Sequence, residues 1–84
     1  MMNALMWEAR APEGKRDELL AWVRAHGVPA LRASGGEDLA VYRSADRVVV
    51  IAHFAGEPVR LPEPPEELSA RPPHQWPFEK CSPQ

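Results

Sequence analysis

The 84-residue chain has one cysteine, six aromatic residues, no long apolar run and no dominant sign of charge, and each shortage excludes something. Cys81, alone and near the C-terminus, cannot form an internal disulfide, which removes the small secreted scaffolds that depend on such links and points to a reducing, cytoplasmic setting. Ten basic residues against twelve acidic ones leave a net charge of -2, without the basic stripe that a nucleic-acid binder needs. The apolar run Val48 to Ala52 is far too short to span a bilayer, and Met1 to Met6 runs into Trp7, Glu8 and Arg10 without the pattern of a signal peptide. The expectation is a soluble chain with no membrane partner and no nucleic-acid partner. His26, His53, His74 and Cys81 are scattered without the short spacings of a metal site, so no metal and no cofactor are expected. Gly35-Gly36 belongs to neither phosphate-binding glycine motif.

What is present is patterned alternation followed by proline. Residues 1–84 suffice for one domain with a small core. Ten prolines are unevenly placed, eight of them from Pro58 onward, so regular structure concentrates before that point. Asn3 to Ala9 reads as a strand with Leu5, Trp7 and Ala9 on one face and Ala4, Met6 and Glu8 on the other. A helix is predicted from Lys15 to His26, with Leu19, Trp22, Val23 and His26 along one face and Gly27 and Pro29 ending or kinking it. A flexible loop from Ala33 to Asp38 precedes a hairpin of Leu39 to Arg43 and Arg47 to Phe54, joined at Ser44, Ala45 and Asp46. Glu57 to Pro65 reads as an extended proline-rich connection, Pro65 to Ala70 as a short helix, and Gln75 to Lys80 as an edge strand because Pro77 lies inside it. Residues 81–84 form a short tail.

The order βαββαβ is that of an α+β, ferredoxin-like domain with an antiparallel sheet and both helices on one face. The third strand is apolar on both sides: Val48, Val50, Ala52 and Phe54 alternate with Val49, Ile51 and His53. Two helices cover one face only, and each large apolar side chain left in water forgoes about 1.5–3 kcal/mol of burial. A second copy packed sheet to sheet is the simplest cover, so a homodimer is expected.

The segments Ala4-Leu-Met-Trp-Glu-Ala9, Leu19-Leu-Ala-Trp-Val23 and Val41-Tyr-Arg-Ser-Ala-Asp-Arg-Val-Val-Val-Ile51 resemble the antibiotic-biosynthesis-monooxygenase superfamily, over roughly residues 4–54. That resemblance implies a dimeric α+β barrel with a small-molecule pocket between helix and sheet. Some members oxidise aromatic polyketides without metal or flavin, and some degrade haem using an asparagine, a tryptophan and a histidine. Asn3 enters as a candidate ligand-binding residue on that ground alone.

The residues themselves nominate Trp7 and Trp22 as ligand-binding walls and His26 and His53 as catalytic bases, because an imidazole titrates near neutral pH and an aromatic wall suits a planar apolar ligand. Each has a plainer alternative: core packing for Trp22, a helix-end contact for His26, a strand end or dimer interface for His53. Two functional readings follow. One is a cofactor-independent monooxygenase-like protein acting on an aromatic or polycyclic small molecule; the other is a non-catalytic homodimeric module that binds a metabolite or a protein, the latter through an extended Glu57 to Pro73.

Overall fold

The computed structural model describes residues 2–83; Met1 and Gln84, the ends of the expected domain, lie outside it. Strand β1 (Asn3–Arg10) leads to α1 (Arg16–Trp22), a π-helical turn (Val23–Gly27) and α2 (Val28–Ala33), which run on as one continuous helical segment. Strands β2 (Glu37–Arg43) and β3 (Arg47–Phe54) follow, then a 3-10 turn (Glu66–Leu68) and β4 (His74–Glu79). The four strands form one antiparallel sheet in the order β2-β3-β1-β4, an α+β architecture consistent with a ferredoxin-like fold.

Strict alternation explains the strands. Leu5, Trp7 and Ala9 of β1 and Val48, Val50, Ala52 and Phe54 of β3 are all buried on one side of the sheet, against Leu19, Leu20, Val23 and Leu31 of the helical segment. Between the two central strands the register pairs Trp7 with Val50 and Ala4 with His53. The β2–β3 hairpin closes where expected: Ser44 N–H donates to the Arg47 carbonyl at 2.9 Å, and the Ser44 hydroxyl accepts from Arg47 N–H at 3.2 Å.

The helical segment is longer than its sequence suggests, since Gly27 and Pro29 do not end it. Proline has no N–H to give and its ring crowds the carbonyl four residues back. Here the turn before it widens, with Val28 N–H donating to the carbonyl of Val23, five residues earlier, the usual way a helix absorbs such a defect. The stop comes instead at Ser34-Gly35-Gly36. Gly35 takes φ 96°, its N–H donates to Arg32 at 3.1 Å, and Gly36 N–H donates to Leu31 at 2.8 Å. This crossed pair satisfies the last carbonyls. A side chain on Gly36 would meet the Leu31 carbonyl oxygen at 2.9 Å, so the stretch read as flexible is a fixed cap. The bases of β2 shift accordingly: the strand begins at Glu37, with an irregularity between Glu37 and Ala40 and Asp38 at φ 49°.

The second helix expected over Pro65 to Ala70 shortens to the single 3-10 turn. Leu68 and Ser69 donate back to Pro65 and Glu66, but the backbone turns extended at Ser69, and Ala70 N–H donates to the Arg10 carbonyl at 2.8 Å. That bond extends the β1 end of the sheet, and Pro72 and Pro73 bar any further helix. A proline-rich strap therefore lies where a second helix would sit. Leu61, Pro64 and Leu68 are buried, Leu61 against Gly27. The Gln75 side-chain amide brackets Leu61, accepting from its N–H at 2.8 Å and donating to its carbonyl at 3.2 Å. β4 holds the sheet edge with Pro77 opposite Leu5, where a missing ladder donor costs least.

Candidate functional site

The five candidate residues fall into separate places. Trp7 is fully buried (0% exposed) between sheet and helix, and its indole Nε1 has no hydrogen-bond partner. Trp22 packs partly buried at the margin of the same core, and its ring stands 5.9 Å from that of His26, tilted by 38°. His26 itself is exposed. Asn3, at the start of β1, donates from its side-chain amide to the Gly56 carbonyl at 2.8 Å, which fastens the chain just after β3. His53 is on the other side of the sheet from Trp7, because it stands opposite Ala4 in the register. The structure brings Trp22 and His26 together and puts the sheet between Trp7 and His53, so these residues do not share one cavity.

Among the described residues, no helix lies over the side of the sheet that carries His53, and the strap reaches it only at the Arg71–Glu8 pair. The residues of that side follow from the register in four rows across the strands: Arg10 and Arg47; Tyr42, Val49, Glu8 and His74; Ala40, Ile51, Met6 and Trp76; Glu37, His53, Ala4 and Phe78. The third row is wholly apolar, and charged residues lie toward both ends of the face. The central side chains shelter one another and are half-buried, while the flanking rings are open to solvent: Tyr42 is 57% exposed, Trp76 41% and Phe78 52%. Three aromatic rings half out of a sheet leave on the order of 300 Å² of apolar surface, the size at which a patch on a soluble protein carries a role.

Polar groups on this face are already engaged or sit at its ends. The Glu8 carboxylate, 13% exposed, accepts two hydrogen bonds from Arg71 at 2.7 and 2.9 Å, with Arg47 at 3.5 Å. Both bonds come from one guanidinium nitrogen, Nη2, which straddles the two carboxylate oxygens and offsets their charge. The same contact fastens the end of the strap to β1 across 63 positions of sequence. His74 lies edge-on to Trp76 at 5.4 Å and 74°. His53 is half-buried, and its Nδ1 is enclosed with no partner.

Other concave places are shallow and lie away from these residues. A cleft of about 360 Å³ opens within the strap, lined by Glu63, Pro64, Glu66, Ser69 and Arg71 among others. A second, about 240 Å³, lies by the Arg10 to Gly14 turn and Asp46. Arg10 and Arg16 there are engaged with Asp46 and Asp17 at 3.0 and 2.9 Å. Arg16, and more distantly Arg43, hold the Asp17 carboxyl below the usual carboxylate range. Among the described residues, no group of three or more His, Cys, Asp or Glu stands close enough to hold a metal ion, and no helix is long and apolar enough to cross a membrane.

The open face as a unit includes Tyr42, Trp76 and Phe78, which sequence reasoning did not nominate. The signal was the two-sided apolar pattern of β1 and β3; what it could not supply was the β4 register that sets Trp76 beside Met6 and Phe78 beside Ala4. In comparison with known proteins, no family model, curated protein or solved structure matches the chain.

Proposed function

We propose that the chain works as a homodimeric, ferredoxin-like binding module in which two copies pack open sheet face to open sheet face. The observation that carries this reading is the contiguous apolar face of Met6, Val49, Ile51, Trp76, Phe78 and Tyr42 on the side of the sheet opposite the core. Size and charge bear on how a second copy fits it. The whole sheet face measures about 19 by 26 Å in plan from strand spacing and rise, roughly 500 Å² before side-chain relief, against the ~800 Å² per partner of a standard interface. Its most enclosed carboxylate, Glu8, is paired with Arg71 and Arg47 within the same protomer, and Arg10 at that end is paired with Asp46, which reduces the like charge that two identical faces would bring together.

Sedimentation of Ile51→Glu beside the wild type tests the proposed dimer. The wild type should sediment at twice 9.4 kDa and the variant at a single copy with unchanged circular dichroism; a variant that remained double would remove the sheet face from the interface.

One observation favours the second reading, a cofactor-independent monooxygenase-like site for an aromatic or polycyclic small molecule. Trp7 Nε1 is a buried donor without an acceptor, and such donors are rare in native structures. A ligand oxygen would satisfy it only where helix and sheet part to admit one, since Trp7 is fully buried and lines none of the clefts described above. Titration with quinols, polyketides or haem, read by tryptophan fluorescence, should then saturate in the wild type and lose its response in Trp7→Phe. No response to any of these ligands would leave the module reading alone.

A further inference from the structure

We infer that the two copies meet with their strands running in opposite directions, so that Glu37 of each copy lies against Arg47 of the other. The inference rests on the sheet-to-sheet dimer proposed above and assigns the residues that orient it. The charges of the open face are divided between its ends. Arg10 and Arg47 make up the row at one end, and with Arg71 close by, three guanidiniums there share two carboxylates. Arg10 holds Asp46 at 3.0 Å and Arg71 holds Glu8 at 2.7 Å, while Arg47 reaches Glu8 at 3.5 Å and Asp46 at 4.0 Å. That end keeps a positive charge in excess, and the Arg47 side chain is 49% exposed.

Glu37 stands in the row at the opposite end, beside His53. It is exposed, and among the described residues no ion pair engages it. Arg47 of its own chain is three rows away, about 20 Å at two residues per row, so the two cannot pair within one protomer.

Packed sheets keep their strands within about 30° of one direction, which leaves a symmetric pair two arrangements. With the two-fold axis along the strands, each end meets its own kind. Arg47 of one copy then faces Arg10 of the other, and Glu37 comes toward Lys80, whose N–H donates to the Met2 carbonyl one step beyond Phe78. With the axis across the strands, each arginine end meets the other copy's Glu37, and the row of Ile51, Met6 and Trp76 lies against Val49 and Tyr42. The first arrangement gains Glu37–Lys80 contacts while gathering four arginines. The second gains Glu37–Arg47 contacts and keeps the arginines of the two copies a face length apart, so electrostatics favour it. Sheets stack about 10 Å apart, a gap that a glutamate and an arginine side chain span together from opposite sides.

Charge reversal separates the two arrangements. Sedimentation equilibrium should show the dimer Kd of Glu37→Lys and of Arg47→Glu each raised about tenfold over the wild type, because exposed pairs are individually weak and two-fold symmetry doubles the change. An equimolar mixture of the two variants should recover the wild-type Kd, since a mixed pair has opposite charges at both contacts. Glu37→Lys pairing as tightly as the wild type, a mixture no tighter than its components, or recovery on adding Lys80→Glu to Glu37→Lys would overturn the inference while leaving the dimer standing. Should Arg47→Glu fail to fold beside Glu8 and Asp46, cross-linking gives the same answer. In a Cys81→Ser background, Glu37→Cys with Arg47→Cys should be joined between copies by a short bismaleimide, and Glu37→Cys with Lys80→Cys should not; the reverse result would overturn the inference. A wild type that is a single copy at every concentration would remove the dimer, and this inference with it.

Discussion

The two faces of the sheet are alike at their centre, where both are apolar, and differ at their ends and in what lies over them. On one, Leu5, Trp7, Ala9, Val48, Val50, Ala52 and Phe54 are closed in by the helical segment and by the strap residues Leu61 and Leu68. On the other, Ala4, Met6, Val49 and Ile51 are as apolar, yet they are covered only by one another, and the rings at the flanks face solvent. An antiparallel sheet whose second face meets water ordinarily alternates polar with apolar residues. In β1 and β3 the polar residues of that face, Glu8, Arg10, Arg47 and His53, stand toward its ends, and the apolar centre of Met6, Val49 and Ile51 is the part that the proposed dimer would cover.

The sharpest way to break the comparison is to remove the same residue type from each side. Trp7→Ala should lower protomer stability by about 3–5 kcal/mol, as truncating a fully buried aromatic does, read as a fall in the urea midpoint. Trp76→Ala, measured at dilutions where only single copies exist, should change that midpoint by less than about 1 kcal/mol while raising the dimer Kd by about tenfold or more. Equal losses of protomer stability at the two positions would erase the distinction between the faces.

Next in size is the strap. Arg71→Ala strands the Glu8 carboxylate with only the more distant Arg47, and leaving a mostly enclosed charge short of a partner costs about 1–3 kcal/mol. Proteolysis should then cut between Pro58 and Pro73 faster than in the wild type, because this segment is held at Leu61 by Gln75 and at its far end by Arg71. A strap equally resistant in both would mean that its buried leucines alone hold it.

The smallest effect belongs to the exposed Asp17. Its lowered carboxyl titration, due first to the hydrogen bond from Arg16 and then to the charges of Arg16 and Arg43, stabilises the folded state above the usual value of 3.8 and is lost as pH falls below it. Surface pairs of this kind contribute little. Asp17→Asn should leave the midpoint at neutral pH unchanged within error, and any difference between the two proteins should vanish in acid.

The strands were legible because their information is local. Arg47 to Phe54 emerges with the bounds its alternation predicts, and the Ser44 to Asp46 turn closes the hairpin as expected. The helix end was misread because Gly27 and Pro29 carry the ordinary stop signals, and only the widened turn before Pro29 lets the segment run to Ala33. The C-terminal third was least legible. What organises it is the pairing of Arg71 with Glu8, of Gln75 with Leu61 and of Ala70 with Arg10, contacts between distant positions that leave no local pattern.

The candidate site shows the same division. Trp22 and His26 meet because they are four residues apart on one helical surface, which spacing alone predicts. That the sheet separates His53 from Trp7 depends on the β1–β3 register, which the sequence of neither strand contains.

Light scattering of the wild-type chain at neutral pH over a range of concentrations tests the central claim most directly. The account predicts a mass of twice 9.4 kDa that falls toward a single copy on dilution; a single copy at every concentration would contradict it and leave the open face to another partner.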